Sequence, residues 1–376
     1  MKKFKTLFAV LLVSISSLSI AQEKQKIGDN LSYFYAERTA GQETVDVIDV
    51  YSVEEEAQYL AKQPRTKASE DLIAQIQSTK ENARKVNPEY AALMERQAEI
   101  RGVDVTHLYA ATSIDDVLIL QSLRKSGKVL DETIRGCTTI AFDNGIVGQN
   151  NDMGLAYLEK RTEVVRTDNR IYYSTNGGHF QGMGKNVAIT INFLATVDLH
   201  DNLGQDNLLS TDVILATATQ ANSVADFVEK MEGYEPIVPL SFTVADRFGH
   251  HAVVRMTKDG IKIVNKEDRG SASANHNDEI KEMMFKKYSK PEANAICMDS
   301  FARETAALNY LTYTTTLDVD AMKYMLEHRP LNMSKDDDHK TFVTVESMVF
   351  DIKTGTAWVT GDNPRFAGWT KVKLAR

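Results

Sequence analysis

The chain changes character at one point, between Gly136 and Cys137. Up to that junction it is polar and patterned for helices. Beyond it come β-branched runs broken by tight turns. Residues 53–63 (VEEEAQYLAKQ) carry acids in the first turn and Lys62 near the end, as a helix dipole prefers. Residues 68–85 place Leu72, Ile73 and Ile76 at helical spacing. Residues 88–101 start at Pro88 and stop at Gly102, and Ser113 to Leu123 is expected to be helical too. This first part shows little strand character.

From Cys137 the pattern becomes CTTIAF, then the turn Asp143-Asn144-Gly145, then Ile146-Val147-Gly148, which is a hairpin signature. Further strands are expected at 162–166, 171–174, 187–194, 241–246, 250–256 and 261–265, then at 342–351, 355–360 and 370–374. Helices are expected near 211–220, 223–231, 299–313 and 318–327. Hairpins interrupted by helix pairs suggest an α+β fold of two sheets with helices outside them.

The N-terminus reads as a leader. Lys2, Lys3 and Lys5 precede an apolar run from Leu7 to about Val13, and Ser19-Ile20-Ala21 suits signal peptidase, with Gln22 as the new terminus. The run is too short to span a bilayer, and no other segment approaches 18 apolar residues. The expectation is an exported, periplasmic or secreted protein with no stable membrane insertion once residues 1–21 are removed. The full chain carries 44 basic and 52 acidic residues. Losing the leader's three lysines takes the net charge from −8 to −11. An acidic chain has no electrostatic footprint for nucleic acid, so none is expected as a partner.

Two cysteines rule out a disulfide scaffold. Export leaves open a Cys137–Cys297 bridge, or one reactive thiol and one buried small hydrophobe. The position of Cys137 gives the reactive thiol a mechanism. A cut before it would give one residue both a thiol and a free α-amine, whose pKa of ~7.7–8.0 makes it a base near neutral pH. Before the cut, the same thiol can attack the Gly136 carbonyl, where the missing Cβ leaves room.

Gly136-Cys137-Thr138, followed by Gly148-Gln149-Asn150-Asn151-Asp152, resembles the N-terminal-nucleophile hydrolases of the acyl-coenzyme A:6-aminopenicillanate acyltransferase family. These are related to choloylglycine hydrolases and penicillin V acylases. Residues 90–117 are similar to the family's pro-segment, and Gly182-Met183-Gly184-Lys185-Asn186 to its glycine-rich turn. Asn275-His276, Asp299-Ser300-Phe301-Ala302-Arg303 and the closing stretch 346–364 follow in the family's order.

The resemblance implies a four-layer αββα sandwich, with a helical pro-segment at 22–136 and a catalytic part at 137–376. It implies that Cys137 is the nucleophile. Asp152 would orient the new α-ammonium, or else merely cap a turn. The oxyanion donors would be the main-chain N–H of Asn192 and the side-chain amide of Asn275. Asn192 could equally be satisfied by a neighbouring loop, and His276 is expected to be structural. Arg303 would hold the Cys137 region electrostatically, or else be a surface arginine pairing with Asp299 at i+4. Choloylglycine hydrolases carry an Arg where this chain has Gln149, which moves the expected substrate away from conjugated bile salts.

No cofactor or metal is expected. The glycines at 177–184 precede a β-branched run rather than a helix, and His250, His251, His276 and His339 lack a ligand spacing. Cys297 reads as core, and 335–340 as a solvated loop. The expected activity is cleavage of a small linear N-acyl amide through a Cys137 thioester, with the two chains associated after self-cleavage. Acyl transfer, penicillin V or bile-salt hydrolysis, and a non-catalytic periplasmic binding protein of the same fold are the alternatives.

Overall fold

The computed structural model describes residues 45–125, 136–154, 162–175, 178–196, 199–264, 268–333 and 342–375. The leader, residues 22–44 and the 335–340 loop lie outside them, as does the side chain of Cys297. In chain order the elements begin with β1 (Val45–Asp49), α1 (Val53–Lys62), α2 (Glu70–Gln75), α3 (Ser78–Val86), α4 (Pro88–Arg101), α5 (Val105–Thr112) and α6 (Ile114–Lys125). Seven strands follow: β2 (Thr138–Phe142), β3 (Ile146–Gly154), β4 (Thr162–Arg166), β5 (Ile171–Thr175), β6 (Gly178–Met183), β7 (Val187–Phe193) and β8 (Leu208–Leu209). Then come α7 (Thr211–Gln220), α8 (Val224–Met231), β9 (Glu235–Pro236), β10 (Leu240–Asp246), β11 (His251–Thr257), β12 (Gly260–Val264) and β13 (Gly270–Ser273). The chain closes with α9 (Asp278–Lys287), α10 (Lys290–Tyr313), α11 (Val319–Glu327), β14 (Phe342–Asp351), β15 (Thr356–Thr360) and β16 (Thr370–Lys373).

Two sheets face each other. One has eight strands in the order β1-β4-β5-β6-β7-β10-β11-β12, the other six in the order β13-β2-β3-β14-β15-β16. Strands β2 and β3 pack against β7 and β10 across the sandwich. Helices α7 and α8 cover the outer face of the first sheet, and α10 and α11 that of the second. The result is the expected α+β arrangement of four layers, αββα.

The period of two along each strand sorts its side chains between layers. On β2, Ile140 and Phe142 join the core beneath α10 and α11, whereas Ala141 points between the sheets with Val147, Ala188 and Ala245. Towards Cys137 the interior between the sheets turns polar. Thr139 meets Thr243 at 2.7 Å, and Ser241 meets Ser273 at 2.8 Å.

The helices before the junction are built from local signals and then clamped to the rest. Ser52 caps α1 by accepting from the Glu55 N–H, and Asn87 caps α4, with Pro88 in its first turn and left-handed Gly102 at its end. Asn82 donates to the carbonyls of Asp206 and Leu208, and the Tyr90 hydroxyl donates to Asp212 on α7 at 2.6 Å. Glu56 on α1 meets Arg170 at 2.9 Å and accepts from the Tyr172 hydroxyl at 2.7 Å, all of them buried.

Several elements differ from the sequence expectations. The first part does contain a strand, β1, which pairs in parallel with β4 at the sheet edge. The single helix expected over 68–85 is two, because Ser78 opens a new helix after the turn at Ile76. Strands β6 and β13 and helices α5 and α9 were not foreseen. Strand β13 (GSAS) has no large apolar residue, and β6 (GHFQGM) places Gly182 where its neighbour comes close. A Cβ on Gly182 would lie 2.5 Å from the Ile171 carbonyl, and one on Gly270 would lie 2.4 Å from the Ala141 carbonyl.

Glu56→Ala should strip Arg170 of its buried counter-charge. It is expected to cost about 3 kcal/mol in urea unfolding, the lower end for breaking a buried pair, because Glu89 remains 3.5 Å from Arg170. A loss below about 0.5 kcal/mol, the usual surface value, would mean that the clamp carries no stability.

Candidate active site

Gly136 is buried at φ +140°, a conformation L side chains rarely adopt. A Cβ there would lie 3.0 Å from Nδ2 of Asn275, so the junction peptide is pressed against that side-chain amide. Cys137 follows, buried and free of any disulfide, immediately before β2. The bridge alternative is thereby removed.

Arg303, on α10, is fully buried. One terminal nitrogen donates to the Cys137 carbonyl at 2.5 Å and to the Thr138 hydroxyl at 2.8 Å. The other donates to Oδ1 of Asn275 and to Asp299, both at 3.0 Å. Both roles considered for Arg303 therefore coexist: it pairs with Asp299 at i+4, and it spans the junction. By taking Oδ1 of Asn275 it fixes which end of that amide is the donor. Nδ2 then donates to the Phe193 carbonyl at 3.0 Å, on the side where Gly136 lies. The Asn275 main-chain N–H is held by Ser300 Oγ, which also meets Nδ1 of His276 at 2.8 Å. His276 is buried with Nε2 3.2 Å from Glu304, one step back from the thiol, in keeping with the structural part expected of it.

The hairpin brings Asn151 and Asp152 back to Cys137. The thiol lies 3.5 Å from Oδ1 of Asn151, which also accepts from Gln149 at 2.5 Å. Gln149 grips both the N–H and the carbonyl of Ile191 across the sandwich, so the residue standing in the arginine slot is a buried cross-sheet tie. Asp152 accepts from the Thr344 hydroxyl at 2.6 Å through Oδ1, while its buried Oδ2 has no hydrogen-bond partner among the described residues. Burial raises its carboxyl to about 8, against the pull of Arg303 and Thr344. Burial, with Asp152 adding to it, pushes the Cys137 thiol up to about 12, although the Asp152 main-chain N–H, Arg303 and Gln149 pull it down. In the intact chain, then, burial favours the protonated form of both groups.

Asn192 is placed differently from expectation. The Leu194 N–H donates to Pro239 at one end of the β7–β10 ladder and the Arg247 N–H to Asn186 at the other. Alternation from either end makes Asn192–Ser241 a hydrogen-bonded pair. Its N–H is therefore committed to the sheet, because β10 is paired along the whole of β7. Its side chain donates to Thr139 Oγ1 at 2.9 Å and to the Ser273 carbonyl at 3.0 Å, tying the two sheets together. The structure thus brings together Gly136, Cys137, Asp152, Asn275 and Arg303, and sets Asn192 in the scaffold. Sequence reasoning missed Thr344 and Asn151. Thr344 carried no local signal, and Asn151 stood only inside the Gly148–Asp152 run.

Among the described residues, no group of three or more His, Cys, Asp or Glu side chains is arranged to hold a metal ion, and no helix is long and apolar enough to cross a membrane.

No protein-family model matches the chain, and no curated protein matches it. Solved structures similar to it include a mutant of conjugated bile acid hydrolase from Clostridium perfringens, 10% identical over 64% of this chain and 97% of that one, with a TM-score of 0.42. A second variant of that protein gives the same identity and coverage with a TM-score of 0.41. Penicillin V acylase from Agrobacterium tumefaciens is 11% identical over 60% of this chain and 82% of that one, with a TM-score of 0.39.

A carboxyl held near 8 in the folded chain keeps a proton that the unfolded chain releases near ~4. Folding stability should therefore fall as pH rises from about 4 to about 8. In an uncleavable Cys137→Ala background, Asp152→Asn should raise the urea midpoint more at about pH 8 than at about pH 5. Equal shifts at both pH values would contradict a raised Asp152.

Proposed function

We propose that the chain is an exported precursor that cuts itself between Gly136 and Cys137 and then acts as a cysteine N-terminal-nucleophile hydrolase on a linear N-acyl amide. The observation that carries this is the setting of the junction. The Gly136–Cys137 peptide lies against the Asn275 amide, and Asp152, the carboxyl that raises its thiol, has a buried oxygen without a partner among the described residues.

In the first reaction the Cys137 sulfur bonds to the Gly136 carbonyl carbon and the peptide C–N bond breaks. The nitrogen takes the thiol proton and becomes the free α-amine of Cys137. Water then hydrolyses the thioester, returning the thiol and leaving a carboxylate on Gly136. Scission creates what the intact site lacks. The new α-amine is a base beside a thiol that burial otherwise keeps protonated, and as an ammonium it is the donor that Oδ2 of Asp152 is without.

In the second reaction the α-amine takes the thiol proton and the sulfur attacks the substrate's amide carbon. The oxygen turns negative against Nδ2 of Asn275, which Arg303 holds in the donating orientation. Collapse expels the amine with the proton from the α-ammonium, and water releases the acid. The leader at residues 1–21 supports export, and Gln149 in place of arginine supports a substrate other than a conjugated bile salt.

Asn275→Ala, made as processed protein by co-expressing 22–136 with 137–376 behind a removable leader, should fold but lose ~10²–10³ in kcat, the worth of one oxyanion donor. Release of free acid from an N-acyl amide is the readout. Retention of more than about a third of the wild-type rate would remove Asn275 from the reaction.

A further inference from the structure

A cavity of about 630 Å³ is walled by α6 of the first part, by α7 and by β3, β4, β5, β6, β7 and β14. One amide connects it to the thiol: Asn151 accepts from Cys137 through Oδ1 and donates through Nδ2 to Glu346, which lines the cavity. The lining is rich in carboxyl groups, and burial raises Glu346 and lifts Asp116 to about 7, so a cation placed among them would be stabilised by drawing them into the charged form. Glu163 and Glu346 stand on the sheet wall and Asp115, Asp116 and Asp212 on the helix wall, and among the described residues no Lys or Arg lines it. Glu346 accepts from Asn151 and from Thr162 Oγ1, and Glu163 from the Tyr59 hydroxyl, all neutral donors. Asp116 accepts from Thr211, and Asp212 accepts from Tyr90, beyond which Arg65 supplies some positive charge. The two glutamates have no ion-pair partner among the described residues.

An independent observation concerns His179, which lines the same cavity and is 2% exposed. Thr219 Oγ1 spends its proton on the Ala216 carbonyl, so at its 3.3 Å contact with Nε2 of His179 it accepts. The imidazole proton is then on Nε2, and Nδ1, which has no partner among the described residues, is a bare acceptor. Burial, with the charge of Arg170, keeps this ring neutral. Carboxylates and an imidazole lone pair together ask for a ligand that brings N–H donors and positive charge. Tyr173, Phe180 and Phe193 supply aromatic faces on which a cation also rests favourably.

We propose that this cavity binds a protonated amine carried by the substrate, so that the chain acts on N-acyl amides bearing an ammonium group rather than on neutral or anionic ones. The proposal rests on the amide-hydrolase function above and names its substrate class.

The cavity is already formed in the uncut chain, so the full-length Cys137→Ala protein can be titrated by calorimetry. The probes are N-hexanoyl-1,4-diaminobutane and 6-aminohexanoyl-butylamide as cations, N-hexanoylbutylamine as neutral, and N-hexanoyl-4-aminobutanoate as anion. At least one cation should bind about tenfold or more tighter than the neutral amide, as a charge-assisted contact allows, and the anion should bind more weakly than either. Glu346→Gln and Glu163→Gln, which keep shape, should bring the cation-to-neutral ratio towards one. Equal binding of neutral and cationic probes, or a ratio unchanged in both variants, overturns the proposal. Kinetics with processed wild type separate the two claims. A protein that cuts itself and hydrolyses all the probes equally keeps the hydrolase function and loses the charge selection. One that neither cuts nor hydrolyses loses the function, and the binding ratio still decides the cavity's preference.

Discussion

A single buried guanidinium organises this molecule. Arg303 has no exposed surface and spends its donors on four groups: the Cys137 carbonyl, the Thr138 hydroxyl, the Asn275 amide oxygen and the Asp299 carboxylate. Burying such a charge is costly unless it is paired and fully hydrogen-bonded. The planar fork of an arginine allows both at once, which the point charge of a lysine does not. In satisfying itself, the guanidinium docks α10 on the second sheet, fixes the start of β2 and orients the Asn275 side chain. The junction, the donor facing it and the helix layer above are thus settled by one set of hydrogen bonds.

A second constraint lies in what the intact chain leaves unsatisfied. Partnerless buried polar atoms are scarce in folded proteins, and here one sits on Asp152, the carboxyl that raises the neighbouring thiol. A carboxyl that keeps its proton to about 8, beside a thiol that keeps its own to about 12, describes a site awaiting a charge. Scission at Gly136 would provide an α-ammonium there. On this view the buried ties Glu56–Arg170, Tyr90–Asp212 and Asn82 to the 206–208 main chain matter after the cut, since they would hold the two chains together without a peptide bond.

Much of this was legible in the residues. The hairpin after Cys137, the helix that starts at Pro88 and stops at Gly102 and the two sheets with helices outside them follow from local patterns. The gathering of Gly136, Cys137, Asp152, Asn275 and Arg303 is what the family resemblance implied. What was not legible depended on close approach and on backbone pairing. Strand β13 is written in small residues, and β6 carries Gly182 where a neighbouring strand leaves no space for a Cβ, so both lack the β-branched signal of a strand. Strand β1 hides among acids at a sheet edge. Asn192 appeared as a donor because an amide interrupting an apolar strand needs a reason. The reason is the Thr139–Ser273 contact between the sheets, and its own N–H is bound to β10. Thr344, on a strand nearly two hundred residues along the chain, carries no local mark of its hold on Asp152.

The central claim is that the Gly136–Cys137 bond is one the folded chain itself breaks. Intact-mass spectrometry of purified wild type and Cys137→Ala tests it most directly. Scission by this thiol predicts chains of 115 and 240 residues from wild type, the longer starting with Cys137, and a single uncut chain from the variant. An uncut wild-type chain, or the same two fragments from Cys137→Ala, would contradict it.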